Sequence, residues 1–181
     1  MNIKVLLHIC CGPCGVAFIS GIIDEGFLPV LLWHNPNIHP FMEYKNRRMS
    51  ALNFAELHKL AIEADEDYGL RDFVYDTSEY MDNRRERCGY CYRSRLEHTA
   101  KYAAKHGYTA FSTTLLASPY QDFDTICKVG HKIAKKYKCE FIVRDFRENF
   151  RAAMDEARKM GLYMQKYCGC VFSEEERFKK P

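Results

Sequence analysis

The amino-acid sequence predicts an α/β three-layer sandwich with a mostly parallel, Rossmann-like five-stranded sheet, and three observations carry that expectation. Residues 3–9 form a near-continuous apolar run of Ile, Val and Leu, the pattern of a strand covered on both faces. Further short apolar runs alternate with segments whose apolar residues recur at helical spacing, which implies helices on both sides of a parallel sheet. At 181 residues, with 47% hydrophobic and 28% charged residues, the chain fits one globular domain over 1–181. It shows no repeat, linker or low-complexity stretch.

The elements follow in order. After the first strand the chain breaks at Cys10-Cys11-Gly12-Pro13-Cys14-Gly15, then reads as helical from Val16 to Ile23, with Gly26 as a stop. Leu28 to Trp33 is a second apolar strand and closes a βαβ unit. Pro40 suits the first turn of a helix, and Met49, Leu52, Leu57 and Leu60 extend its periodicity to about Ala64. Phe73 to Tyr75 is the third strand expected, followed by a basic helix from Tyr90 to His106. Ala110 to Leu116 and Glu140 to Phe146 supply the last two strands, with helices at Asp122 to Lys138 and Arg151 to Met160. Ligands of open parallel sheets sit beyond the carboxyl ends of the strands. The loops after Ile9, Trp33, Asp76 and Leu116 are therefore expected on one rim.

No run approaches the roughly 18 apolar residues of a membrane span, and the N-terminal run before Cys10 is too short for a signal peptide. The expected location is cytoplasmic. The net charge of +3 does not by itself specify a nucleic-acid partner. Between Asn83 and His106, however, seven cations (Arg84, Arg85, Arg87, Arg93, Arg95, Lys101, Lys105) face two acids, Glu86 and Glu97. That stretch is either a solvated helix face or a surface for phosphates.

Nine cysteines without a secretory signal point to metal or redox chemistry rather than a disulfide framework. Cys10 and Cys11 are neighbours, about 3.8 Å apart at Cα, too close for an unstrained disulfide. At a strand end and helix start they meet N–H groups that stabilise thiolates, so they can ligate a metal, with Cys14 as a third ligand. Cys88 and Cys91 form a C-x-x-C pair just before the basic helix, a spacing that suits one zinc ion or one cluster. Cys168-Gly169-Cys170 reads as a redox-active dithiol, since a disulfide across one residue is strained and oxidising, or as two more metal ligands. Cys127 and Cys139 stand alone and read as small core residues.

Taken together, H-x-C-C-G-P-C at His8 to Cys14, N-P-N-I-x-P-x-x-E-Y at Asn35 to Tyr44, C-x-x-C at Cys88 and Cys91, S-P-Y-Q-D at Ser118 to Asp122 and Y-C-G-C-x-x-S at Tyr167 to Ser173 resemble the QueH-type epoxyqueuosine reductases. The resemblance implies reduction of epoxyqueuosine to queuosine at the wobble position of tRNA, the last step of queuosine biosynthesis, by an iron–sulfur oxidoreductase. It implies a [4Fe–4S] cluster on Cys10, Cys11, Cys88 and Cys91 and a redox-active disulfide between Cys168 and Cys170. Cys14 is left over, and is expected to hold an open metal position or an additional iron beside the cluster. The partners implied are tRNA containing epoxyqueuosine, met through Arg93, Arg95 and Lys101, and an external electron donor.

Other residues of these motifs admit two readings. Tyr120 is a proton donor or a packed aromatic, and Asp122 a proton donor or a helix N-cap. Glu43 and Arg47, four apart, read first as an ion pair on a helix surface. Asn35-Pro36-Asn37 is a turn or a substrate contact, and His8 a hydrogen-bonded core residue rather than a ligand. Two rival functions share these features: a zinc-containing tRNA-binding module, and a tRNA sulfur-transfer enzyme. The second would need to activate its base with ATP, and no S-G-G-x-D-S-type loop follows the first strand.

Overall fold

Hydrophobic continuity in residues 3–9 places that segment at the centre of the molecule. The computed structural model describes residues 3–179. In it β1 (Ile3–His8) pairs in parallel with β2 (Phe27–Trp33) on one side and β4 (Ala110–Thr113) on the other. Val5, Leu6 and Leu7 are fully buried, because helices cover both faces of this central strand. β3 (Ile62–Ala64) adds to β2 and β5 (Glu140–Phe141) to β4, giving an all-parallel sheet of order β3-β2-β1-β4-β5. The α/β sandwich expected from the sequence is thus present.

Seven helices were resolved among the described residues: α1 (Gly12–Asp24), α2 (Phe41–Leu57), α3 (Leu70–Asp76), α4 (Arg84–Lys105), α5 (Phe123–Tyr137), α6 (Phe150–Lys159) and α7 (Val171–Phe178). α1 packs against α2 and α6, while α4 packs against α5 and the β1–β4 pair. Phe18, Trp33, Phe54, Leu96 and Phe111 are buried in one core cluster. Each such side chain contributes roughly 1.5–3 kcal/mol on removal from water. Among the described residues no helix is long and apolar enough to cross a membrane.

The third strand is not where the sequence suggested. Phe73 to Tyr75 lies in α3, where Phe73 is buried while Tyr75 is 80% exposed, the one-sided burial of a helix. The strand is Ile62–Ala64, in register with Leu31 to Trp33. The helix expected to reach Ala64 ends at Leu57, and a turn redirects the chain so that Leu60 and Ile62 pack on the core from a strand approach. α4 begins earlier than expected, at Arg84, because Asn83 caps it by accepting from the Glu86 amide at 3.3 Å. Cys88 and Cys91 are consequently inside the helix and not before it. β4 turns into a short 3₁₀ segment at Thr114, and β5 covers two residues, with Ile142 N–H extending its ladder to Phe111.

The rim prediction holds for the loops after β1, β2 and β4, but the Asp76 loop follows a helix. Sheet order reverses between β1 and β4, so their diverging carboxyl ends open a crevice at the site where such sheets bind ligands. α1 enters this crevice against α2 at close range. A Cβ on Gly12 would sit 2.7 Å from the Ser50 carbonyl oxygen, backbone that no rotamer change can move. Gly12→Ala is therefore expected to destabilise the protein by about 1–3 kcal/mol through overpacking, measured by urea unfolding. An unchanged midpoint would show that α1 and α2 separate freely.

Candidate metal and redox site

Three thiols gather where β1 gives way to α1. The Cys10 amide donates to Thr114 Oγ1 at 3.3 Å, and that hydroxyl lies 3.6 Å from Cys10 Sγ, fastening the end of β1 to the end of β4. Cys11 is the N-cap residue of α1, with extended backbone and no capping bond from its side chain, and Cys14 follows one turn on. The sulfurs of Cys10, Cys11 and Cys14 lie within 4.8 Å of one another, and the Cys10–Cys11 pair at 3.8 Å. All three are buried.

Charge is not shared evenly in this trio. Hydrogen bonds from Cys11 and Cys14 hold the Cys10 thiol well below its ordinary value. Burial pushes Cys11 up, and the bonds it makes to Cys10 and Cys11 push Cys14 up. One thiolate accepting from two thiols is the result. The general lowering expected from the helix N-terminus is thus confined to Cys10, and neighbouring S–H groups produce it.

Cys88 and Cys91 project from one face of α4. Burial raises both thiols, and for Cys91 the Arg95 guanidinium opposes that rise. Arg95 is 2% exposed; its Nη2 donates to Cys91 Sγ at 3.0 Å and its Nε to the Cys91 carbonyl at 3.1 Å. Among the described residues it has no carboxylate partner. Arg95, expected as a tRNA contact, is not on the outer surface of α4 but is buried on its inward face, where it lines the thiol cleft. Arg93 and Lys101 lie on the exposed face.

The C-terminal pair is held by a second buried cation. Arg47, 2% exposed, donates from Nη1 to the Cys168 carbonyl and from Nη2 to the Tyr167 carbonyl, both at 2.8 Å. Its Nε donates to Glu43 at 2.6 Å, so this pair is buried rather than on the helix surface, because α2 faces the C-terminal segment there. Gly169 has φ +142°, a region that favours glycine, and a Cβ there would meet Arg47 and Ile38 at 3.3 Å. Cys170 caps α7, its sulfur accepting from the Ser173 amide at 3.4 Å, while burial raises its thiol. All nine cysteines are free thiols, Cys168 and Cys170 included.

Gln121 Nε2 donates to Cys168 Sγ at 3.3 Å, and its Oε1 accepts from Tyr92 OH at 3.0 Å. The sequence motif contained Gln121, but a neutral amide gives no signal of such a contact. Asp122 is the N-cap of α5, accepting from Thr125 N–H at 3.0 Å and Thr125 Oγ1 at 2.7 Å. Those donors hold its carboxyl below the usual range, in keeping with the N-cap reading. Tyr120 is 78% exposed and packs edge-on against Phe150. His8 is core, bonded to Thr113 Oγ1 at 2.9 Å, and burial lowers it to about 3. Asn35 donates to the Ile9 carbonyl at 2.9 Å and so shapes the turn. Cys127 and Cys139 pack against the core.

A cleft of about 780 Å³ joins these groups, lined by Cys10, Cys14, Cys88, Cys91, Cys168 and Cys170, with Tyr120 and Gln121 beside them. Seven cations line it (Arg47, Arg84, Arg87, Arg95, Arg158, Lys166, Arg177) against Glu176, which Arg87 binds. Arg84, Arg158, Lys166 and Arg177 are exposed at its mouth. Three of the four at the mouth, Arg158, Lys166 and Arg177, come from the C-terminal third, which the charge run of α4 did not reveal.

The family model described as "Epoxyqueuosine reductase QueH" matches residues 5–176. Curated relatives with the same description include one from Dehalococcoides mccartyi, 36% identical, covering 98% of this chain and 96% of its own. Another from Thermotoga maritima is 36% identical, covering 97% and 93%, and one from Haemophilus influenzae is 34% identical, covering 94% and 71%. Among solved structures, a predicted subunit of tRNA methyltransferase from Methanocaldococcus jannaschii superposes with a TM-score of 0.54 at 11% identity, over 89% of this chain and 90% of that one. That likeness is one of fold.

Arg47 links the two halves of the site, and its removal is expected to be felt at both. Arg47→Ala leaves Glu43 buried beside only Tyr163 and should cost about 3–5 kcal/mol. It also frees the Cys168 segment, so alkylation of Cys170 by iodoacetamide should accelerate about tenfold or more, as local opening becomes easier. Peptide mass spectrometry with Cys139 as internal reference reads this out; equal acceleration at both cysteines would show global loosening only.

Proposed function

This chain belongs to the QueH family of epoxyqueuosine reductases, and from that membership we propose that it reduces epoxyqueuosine to queuosine in tRNA. The observation that supports this reading in the chain itself is the convergence of six thiols and a cationic rim on one cleft. A cleft of about 780 Å³ accepts a nucleotide turned out of its strand. Arg84, Arg158, Lys166 and Arg177 at the mouth bind the flanking phosphates, and the exposed Arg93 and Lys101 extend that surface along α4.

Removal of the epoxide oxygen takes two electrons and two protons and yields an alkene and water. The dithiol of Cys168 and Cys170 carries that complement: both S–H bonds are lost, one S–S bond forms, and two electrons and two protons leave. An external reductant then restores the thiols. Gln121 orients Cys168, and Tyr120, at the mouth, places a phenol where it can hand a proton to the departing oxygen. Nine free thiols suit the cytoplasm, where they stay reduced.

The buried donor set fits a thiolate-held metal centre. Arg95 is a cation without a carboxylate partner among the described residues, and anionic sulfur beside it completes its pairing. We assign the ligands of a [4Fe–4S] cluster to Cys10, Cys11, Cys88 and Cys91. Cys14, which accepts from Gln165 Nε2 at 3.7 Å, is the ligand for an additional iron. Such a centre supplies single-electron transfer and Lewis acidity.

Anaerobically purified protein is expected to contain iron and sulfide, to lose both in Cys10→Ala or Cys91→Ala, and to keep both in Cys168→Ser while multiple turnover on epoxyqueuosine-containing tRNA stops. Zinc without iron would favour the binding-module rival, and loss of iron from Cys168→Ser would make the C-terminal pair metal ligands. For tRNA binding, Arg84→Ala, Arg158→Ala and Arg177→Ala combined should reduce the slope of log affinity against log salt by about 2 to 3 units. An unchanged slope would move the phosphate surface elsewhere.

A further inference from the structure

His34, Asp65 and His98 form a second cluster of metal-ligating side chains, outside the thiol cleft. His34 directly follows β2 and Asp65 directly follows β3, whose adjacent ends are tied by the Asp65 amide donating to the Trp33 carbonyl at 3.2 Å. His98 lies on α4, one turn beyond Arg95. The two imidazoles are stacked with centroids 3.5 Å apart and planes within 9°. Their edges converge on one carboxylate oxygen: His34 Nδ1 is 2.5 Å and His98 Nε2 3.9 Å from Asp65 Oδ2. The other oxygen, Oδ1, is buried and has no hydrogen-bond partner among the described residues.

A hydrogen-bonded pair alone explains only part of this arrangement. It uses one imidazole and one carboxylate oxygen, and leaves the second imidazole stacked against the first and Oδ1 unsatisfied, a costly state for a buried acceptor. A divalent cation satisfies all of them. We propose that His34, Asp65 and His98 form a binding site for a borderline divalent cation of the zinc class, which clamps the ends of β2 and β3 to α4. Two imidazoles and a carboxylate are a donor set such cations prefer, and both Asp65 oxygens become ligands or neighbours of the ion. Tetrahedral ligands about 2.0–2.2 Å from one ion lie roughly 3.4 Å apart, so the ion enters by replacing the proton between His34 and Asp65, widening that pair by about 1 Å and turning the stacked rings until both nitrogens face it. The three side chains are half-buried, which leaves water access on one side. Because α4 also carries Cys88, Cys91 and Arg95, the clamp fixes the helix that presents them.

Zinc titrated into cluster-loaded protein, with iron and sulfide assayed throughout, should bind with one equivalent beyond any held by thiols. Asp65→Asn and His98→Gln should each weaken that equivalent by about tenfold or more, at unchanged iron content. Cobalt(II) serves as the optical probe on the wild-type protein and needs no variant to fold: this site should give ligand-field bands without sulfur-to-metal charge transfer. Absence of an extra equivalent, its persistence in both variants, or cobalt bands from thiolate alone would each overturn the site. Iron and sulfide content reports on the thiol centre separately, so failure of that centre leaves this result readable.

Discussion

Two guanidinium groups buried among sulfurs are the constraint around which the rest of the site is built. Moving a cation out of water costs several kcal/mol, and only well-placed anions or acceptors offset it. Arg47 meets the cost with Glu43 and two backbone carbonyls. Among the described residues Arg95 has only Cys91, through its carbonyl and its sulfur. Burial drives Cys91 toward the neutral thiol while Arg95 favours the thiolate. Those opposed demands are reconciled when a metal replaces the thiol proton, because metal binding and deprotonation are one event. On the proposed reading, Arg95 balances the negative charge of a thiolate-ligated centre, and its cost in the fold is the reason α4 needs that centre.

Beneath the sulfurs the rim is neutral and closely hydrogen-bonded. His8 reaches Thr113 on β4 and both the His34 carbonyl and Asn35 beyond β2, so one imidazole ties three strand ends. Burial holds it uncharged. Asn35 adds the bond to the Ile9 carbonyl, and Thr114 the bonds to Cys10. These contacts fix the crevice where β1 and β4 diverge, so that Cys10, Cys11 and Cys14 are presented by the end of β1 and the first turn of α1 rather than by a mobile loop. Cations then ring the outside. Polarity is therefore layered: neutral donors below, sulfur between, guanidinium at the mouth.

What the sequence revealed followed from strong local signals. The apolar run of β1, the N-cap at Asp122 and the packed role of His8 are each set by neighbours close in the chain or by plain burial. Phe73 to Tyr75 misled because aromatic and β-branched residues favour strands, while burial of Phe73 against His39, Tyr90 and Phe172 decided for a helix. Leu60 continued a helical period across a real turn, which hid β3. At the site, cysteine spacing pointed to the thiols that line the cleft, yet Arg95 and Arg47 read as surface charges. Their burial depends on what packs against α4 and α2 from other elements of the chain. His34, Asp65 and His98 share no spacing at all, since sheet order joins the first two and the packing of α4 brings the third.

The C-terminal pair shows how restraint and motion can be combined in three residues. Arg47 fixes the backbone on the Cys168 side, and the His39 amide holds the Gly169 carbonyl at 2.7 Å. The Cys170 side chain, by contrast, is held by the single weak acceptance from the Ser173 amide, and Ser173 Oγ is shared between the Gly169 amide and the Cys170 carbonyl. To pair with Cys168, Cys170 must give up its capping role. The freed amide is at the N-terminus of α7, where water or the Ser173 hydroxyl can replace sulfur at little cost. Cys168, exposed and oriented by Gln121, can stay where it is. The proposed dithiol cycle thus moves one side chain about a fixed backbone, with the conformational freedom of Gly169 already spent in reaching φ +142°.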